Sequence, residues 1–330
     1  MYYIENQNIT DPAVNLAIEE YAVRFLDKRK SYVLFYINAP SIIVGKHQNV
    51  FEEVNLLAAH RHRIPVYRRI SGGGTVFHDP GNLNFSYICQ HTLKLFNTYN
   101  RFLQPIVQIL KEGGVDVSID QRNNLRIGSK KISGNAQFTS RNRLLSHGTL
   151  LFNSNLDRLN TVIKDVSASG QIKSKSTKSQ RSSVTNLKFH LQNDSSIEEL
   201  CRKLIKRIFK SRYQEQPLNR QDWQAIHDLA DSKYRSWDWN YGQSPPCRMI
   251  REFPLNQKTH HLLLEINEGR IKYFEIQGPF ITEKDSQLIG TFFVGSRFDV
   301  PALAKVFVSV RADKRFKHLQ KLNWKTIIFN

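Results

Sequence analysis

Apolar positions recur along the chain in two periods, one helical and one alternating. Thr10 or Asp11 followed by Pro12 opens a helix with proline at its first position. Val14, Leu16, Ala17, Tyr21 and Phe25 then supply an apolar stripe over roughly residues 12 to 28. SYVLFYIN and SIIVGK, parted by Ala39-Pro40, predict two strands and a turn. A helix over about 51 to 61 and a strand at PVYRRI lead into three consecutive glycines. Beyond them NLNFSYI alternates as a strand does, and FLQPIVQILKEGG predicts a helix stopped by Gly113-Gly114. VDVSID, NLRIG, KKISGNAQF and RLLSHGTLLF follow as further strands, the last two joined by a polar turn near residues 139 to 142. A mixed sheet flanked by helices is the economical arrangement.

The pattern lapses between residues 165 and 186, a serine-rich basic stretch with no large apolar residue between Ile172 and Val184, which reads as a mobile loop. SSIEELCRKLIKRIF and QDWQAIHDLAD resume helical spacing, and Pro245-Pro246 marks a domain boundary. After it RMIREFPL, HHLLLEI and RIKYFEI predict an antiparallel meander, with helices near 283 to 290 and 300 to 310. The expected organisation is therefore a domain over 1–245, carrying the loop at about 167–186, and a smaller one over 246–330.

Composition narrows the class. With 330 residues, 40% apolar and 23% charged, the chain is globular and long enough for two domains. It has no run of eighteen apolar residues and no basic-then-apolar leader, so a cytoplasmic protein without a membrane span is expected. Cys89, Cys201 and Cys247 are too scattered for a disulfide framework or a zinc site. The net charge of +19 fits an anionic partner without saying whether it is nucleic acid, lipid or acidic protein.

Three short clusters carry candidate chemistry. In RRISGGGTVFHD the glycines cost backbone entropy and are kept where the chain must approach something closely. Their N–H groups can line an anion while a neighbouring guanidinium clamps a phosphate. The segment is neither a Walker A loop nor a dinucleotide G-x-G-x-x-G. In GSKKISGNA, strand alternation sends Lys130 and Lys131 to opposite faces, so one of them can enter a cleft. In LLSHGTLLF, Ser146-His147-Gly148 interrupts an apolar strand, and His147 is either a satisfied core histidine or a ligand contact.

Taken together, RRISGGGTVFHDPGNLNFS, KKISGNA and SHGTLLF closely resemble the signature segments of lipoate-protein ligases of the A type, and SIIVGKHQN, NLDRLN and KYRSWDWNYGQSP fit the same order. The resemblance implies an α/β (α+β) mixed-sheet catalytic domain shared with biotin ligases and a small α/β accessory domain at the C-terminus. It also implies activation of lipoate by ATP and Mg2+ to lipoyl-adenylate and pyrophosphate. Transfer then follows to a lysine of apo lipoyl domains, those of 2-oxoacid dehydrogenase E2 subunits or of the glycine cleavage H protein, by a monomeric enzyme that binds neither nucleic acid nor membrane. On that resemblance Lys131 is the catalytic residue. Arg69, Gly74, Thr75, Val76, Phe77, Asn123, Lys175 and Arg181 join it around the nucleotide. Ser71, Gly72, Gly73, His78, Ser133, Gly134, His147 and Gly148, with Arg69, Gly74 and Lys131, face lipoate. A fixed ammonium where two anions meet lowers the barrier electrostatically, which suits Lys131 to the task.

The chain departs from its apparent relatives at two places. Asn124 stands where a carboxylate that can help position a metal is usual. In the loop, Ser176 replaces glycine, Gln180 valine and Ser183 arginine, which leads one to expect weaker closure. Two other functions compete: an ATP-independent octanoyl or lipoyl transferase working through a cysteine thioester, which needs an activated thiolate, and a basic nucleic-acid-binding protein.

Overall fold

The computed structural model describes every residue except 93–97, 165–171, 193–194, 211, 280, 320–321 and 330. The chain folds as two compact units: residues 1–46, 66–160 and 180–236 form the first, and 47–65, 161–179 and 237–330 the second. Two stretches well before Pro245, residues 47–65 and 161–179, thus belong to the same unit as the C-terminal third.

The first unit is built on a five-stranded sheet, in the order Tyr2–Ile4, Tyr32–Ile37, Asn82–Gln90, Arg143–Leu151, Asn135–Ser140. Its first pair is parallel and the remaining pairs are antiparallel. Register assigns the two faces. Phe35 lies opposite Phe85, and Phe85 opposite Gly148, so these residues share one face with Val33, Tyr87 and Leu150. That face packs on Phe102, Leu103, Ile106 and Val107 of helix Tyr99–Glu112 and on Leu200 and Leu204 of helix Ile197–Phe209. Leu34, Ser86 and His147 are register partners on the other face, toward Glu19 of helix Pro12–Arg24. The Asp11 carboxylate accepts from Ala13 N and caps that helix, as the Asp-Pro pair leads one to expect.

Two smaller sheets complete the unit. Val66–Arg68, Ser41–Val44 and Val76–His78 form one, leading into and out of the glycine loop, while Ser118–Ile119, Leu125–Ile127 and Lys130–Ser133 form the other. KKISGNAQF is accordingly two strands in two sheets, broken at Gly134, where a single strand is expected from alternation.

The second unit carries a four-stranded antiparallel sheet, Ile172–Ser174, Cys247–Leu255, Lys258–Asn267 and Arg270–Gln277. Its core stacks Phe274 on Phe293 at 4.5 Å, with Trp324 and Phe307 against Phe293. The expected meander and the two helices, Glu283–Phe293 and Val300–Ala312, are present. The helix expected over 51–61 is instead two, Val50–Glu53 and Leu56–Arg61. Val54 between them is extended and bridges to Ile163, and Asn55 restarts the helix by accepting from Ala58 N. One part of 165–186 is not loop. Residues 165–171 lie outside the described ones, but Ile172–Ser174 is a strand, because buried Ile172 is an apolar anchor paired with Met249. Among the described residues no helix is long and apolar enough to cross a membrane.

Candidate functional site

The strand Val66–Arg68 delivers two buried arginines to the glycine loop. Arg68 Nη1 donates to the carbonyls of Gly45 and Lys46. Arg69 donates from Nε to Ser71 Oγ at 3.0 Å, from Nη1 to the Ile43 carbonyl, and from Nη2 to the Gly72 and Gly74 carbonyls at 2.6 and 2.8 Å. Its guanidinium is therefore engaged in shaping the loop, where the sequence suggests a free phosphate clamp. Burial pulls both guanidinium groups down to about 10, so they stay charged near neutrality.

Ser71 joins the loop to a buried polar relay. Its Oγ lies 2.7 Å from His147 Nε2, and His147 Nδ1 lies 3.1 and 3.0 Å from the two carboxylate oxygens of Glu19. Tyr36 and Ser86 also donate to Glu19. Burial alone pushes the Glu19 carboxyl up, but the His147 charge and the bonds from His147, Ser86 and Tyr36 hold it below the ordinary carboxylate value. Sequence reasoning finds His147 and Ser71 and misses Glu19, Tyr36 and Ser86. Each of these occupies a position that looks like ordinary amphipathic patterning. One signal is available in the sequence: an acidic residue on the buried stripe of Pro12–Arg24 needs a partner.

His78 is reached by a second chain of side chains. Asn6 bonds Asn15, Asn15 bonds Asn38, and the Asn38 amide lies 2.9 Å from His78 Nδ1. With Asn38 donating, the ring proton resides on Nε2, a buried donor that has no protein partner among the described residues. Burial, Arg69 and His147 push His78 down to about 3, so it is neutral and offers a hydrogen bond without a charge. Phe77 is buried in the core, so only its backbone is available to a ligand, while Thr75 and Val76 are half-buried.

Lys131 enters from the smallest sheet. Alternation holds from Lys130 to Lys131, which pair with Ile127 and Arg126, and lapses only beyond them, where Leu125 pairs with Ser133 and leaves Ile132 as an extra residue in a bulge. As direct cross-strand partners Lys131 and Arg126 lie on the same side of the sheet, while Lys130, on the other side, is exposed. Gly134 leaves room for the ammonium: a methyl group there would sit 3.0 Å from Lys131 Nζ. Burial pulls Lys131 down to about 8, opposed by Asp120 and reinforced by Arg126, Arg69 and Arg122. Ser133, next to Gly134, is buried, and its hydroxyl accepts from Asn135 Nδ2. The same amide donates to the carbonyl of Asn123, which takes a left-handed φ of 61°. Gly148 is required by packing, since a methyl group there would lie 2.0 Å from Asn135 Oδ1 and 2.5 Å from Phe85 Cζ.

The loop after Ile172 is held at both ends. In the second unit Ser174 and Ser176 both donate to Glu52 Oε2, at 2.5 and 2.6 Å, and Lys178 lies 3.6 Å from Oε1. In the first unit Lys131 N donates to Ser183 O, and Thr185 N donates back to Lys131 O, so Val184 bridges the lysine's own strand. Ser176, at a position where glycine is usual in the resembling family, adds a bond to this segment. Lys175 belongs to the second unit and Arg181 to the first, and both are exposed.

Asn124 offers its amide to both oxygens of Asp120, which also accepts from Arg126 Nε at 2.6 Å. Among the described residues no three His, Cys, Asp or Glu side chains gather as a metal cage. Burial pushes the thiols away from the thiolate form: Cys89 is raised, Cys201 stands at about 11 and Cys247 at about 12. That is the reverse of what a thioester mechanism needs.

Residues 11–209 match the family described as Lipoyl protein ligase A/B catalytic domain. The chain belongs to this family. It is 38% identical to Lipoate-protein ligase LplJ of Bacillus subtilis, over the full length of both chains. It is 43% identical to Lipoate--protein ligase 1 of Staphylococcus aureus, covering 88% of this chain and 90% of that one. Among solved structures, a T. acidophilum protein described as a putative lipoate protein ligase with bound lipoic acid superposes with a TM-score of 0.62 at 25% identity, covering 73% of this chain and 99% of that one. A lipoate-protein ligase A bound with ATP gives 0.61 at 26% identity, covering 71% and 95%. The mixed α/β fold expected from the sequence is thus the fold of this family.

Proposed function

We propose that the chain is an ATP-dependent lipoate–protein ligase that forms lipoyl-adenylate, releases pyrophosphate, and passes the lipoyl group to a lysine of an apo lipoyl domain, with AMP released. Full-length likeness to a named lipoate-protein ligase supports the substrate, and the placement of Lys131 carries the chemistry. In the first step the lipoate carboxylate attacks the α-phosphorus of ATP. The Lys131 ammonium stabilises the charge that accumulates as the two anions meet. The neutral His78 Nε2–H is a candidate donor to the bound acid, and the Ser71–His147–Glu19 relay fixes the loop beside it. In the second step the acceptor amine attacks the mixed anhydride, and the same ammonium polarises its carbonyl.

The remaining assignments belong to this reading: Gly72, Gly73, Gly74, Thr75 and Val76 present backbone to the ligands, and Asn123, Lys175 and Arg181 are assigned to the nucleotide by the family resemblance. Residues 1–245 then act as the catalytic part, with residues 246–330 as an accessory part. Mg2+ enters with ATP as part of that substrate. The donor set offers no dedicated protein cage for it among the described residues, because Asp120 is already engaged by Arg126 and Asn124, and no step is assigned to it. A neighbouring archaeal ligase is described with its E2 lipoyl domain; E2 lipoyl domains and the glycine cleavage H protein are the acceptors to try here, with the enzyme acting as a monomer in the cytoplasm.

The test is direct. Protein, lipoate and Mg-ATP are incubated with a panel of apo lipoyl domains, and the mass of each acceptor is read with and without ATP. A lipoyl adduct that depends on ATP, lost by about 10²- to 10³-fold in rate with Lys131→Ala, is the expected result. Transfer without ATP, or an undiminished rate in the variant, refutes the reading.

A further inference from the structure

We infer that Asp120 is a positioning residue that keeps Lys131 protonated by neutralising Arg126, the lysine's cross-strand neighbour. The inference rests on the reading of Lys131 given above. It begins from register: Arg126 and Lys131 are paired across Leu125–Ile127 and Lys130–Ser133, on the same side of the sheet. Side chains of directly opposed residues lie roughly 5 Å apart at Cβ, and like charges there repel. A cation beside Lys131 favours loss of its proton, and burial acts in the same direction.

Asp120 opposes both effects. Its carboxylate accepts from Arg126 Nε at 2.6 Å, from the Asn124 amide at 3.1 and 2.9 Å, and from the backbone N–H groups of Arg122 and Asn124 at 2.9 Å each. These donors fix the carboxylate as an anion on the guanidinium that faces the lysine. Among the charges that act most on Lys131, Arg126, Arg69 and Arg122 are cations and favour loss of its proton, and Asp120 is the acid that opposes them. Burial pushes the Asp120 carboxyl up, but the Arg126 and Asn124 bonds outweigh it and hold the group far below the usual carboxylate range. Asn124 has a part in this: a carboxylate at 124 would meet Asp120 across a distance now spanned by a hydrogen bond, whereas the amide donates to it.

The readout is the proton on Lys131 itself. Wild type, Asp120→Asn, Asp120→Glu and Arg126→Gln are treated with a trace of acetic anhydride across a pH series, and acetylation of Lys131 and Lys130 is quantified by mass spectrometry. Lipoate-dependent pyrophosphate exchange is followed over the same pH range. Asp120→Asn is expected to lower the midpoint for Lys131 by about 1 pH unit, Asp120→Glu to restore it in part, and Arg126→Gln to raise it, with exposed Lys130 unmoved. The alkaline fall of pyrophosphate exchange then shifts with the Lys131 midpoint, since activity is lost as pH rises through it. Arg126→Gln provides a second arm of opposite sign if Asp120→Asn does not fold. A Lys131 midpoint equal to wild type in the folded variants overturns the inference. A shifted midpoint with an unmoved exchange profile supports it and overturns the role given to the lysine in the reaction.

Discussion

Removing one hydroxyl from the 174–179 segment should loosen it measurably. Ser176 Oγ donates to Glu52 Oε2 at 2.6 Å, and Glu52 is buried, so its carboxylate has little water to turn to when a donor is lost. A hydrogen bond to a charged group contributes about 1.5 to 3 kcal/mol, and 1.4 kcal/mol is about tenfold in an equilibrium constant. Ser174 still donates to the same oxygen, and Lys178 is half in solvent at 3.6 Å, so neither replaces the missing bond fully. Local opening of this segment should therefore rise about 10- to 100-fold in Ser176→Ala. Alanine is the cleaner test than glycine, which adds about 0.5 to 1 kcal/mol of backbone freedom. The reporters are the amides of Thr177, bonded to His47 O at 3.1 Å, and of Ser179, bonded to Glu53 Oε1 at 2.9 Å. Native-state hydrogen exchange reads them directly. Unchanged protection of both amides in Ser176→Ala and in Glu52→Gln would falsify the argument.

Three further outcomes are expected. Arg69→Ala should raise KM for lipoate and for ATP together, because the guanidinium holds the Gly72 and Gly74 carbonyls; steady-state kinetics with a rise confined to ATP would restore the phosphate-clamp reading. Gly148→Ala should lower stability by about 1 to 3 kcal/mol through overpacking against Asn135 and Phe85, and a thermal midpoint equal to wild type would contradict the packing. Glu19 has a depressed folded pKa, so its contribution to stability is full above its ordinary value of 4.5 and is lost as pH falls through the folded value; Glu19→Gln should flatten that acid-side slope in denaturant titrations, and an identical slope would count against the relay.

Much of the candidate site is legible because its residues are unusual where they stand. Three glycines between strands and a lysine beside Gly134 break local rules, and broken rules draw attention to ligands. The glycine loop, Lys131, His78 and His147 are reached in that way. Glu19, Tyr36 and Ser86 are not, since a tyrosine and a serine on strands break nothing until the sheet is assembled, and the one signal at Glu19, an acid on a buried helix stripe, does not name its partner. Arg69 shows the opposite limit: its place in the chain suggests phosphate, and only the folded chain reveals that backbone carbonyls occupy its donors. The helix break at Val54 is hidden for a similar reason, because its cause is a bridge to Ile163, far away in sequence.

The bulge at Ile132 has a consequence for how this sequence can vary. A regular ladder through Leu125 and Ser133 would set Lys131 and Ser133 on one side of the strand, and one extra residue parts them. Loss of the codon for Ile132 alone would restore regular pairing and leave Lys131 opposite Arg126, whereas closing the bulge at the present chain length would set Lys131 opposite Ile127 and reverse which side the ammonium takes. What this strand must keep is therefore the register that opposes Lys131 to Arg126, and descendants of this gene should hold that register more strictly than the identity of exposed Lys130 beside it.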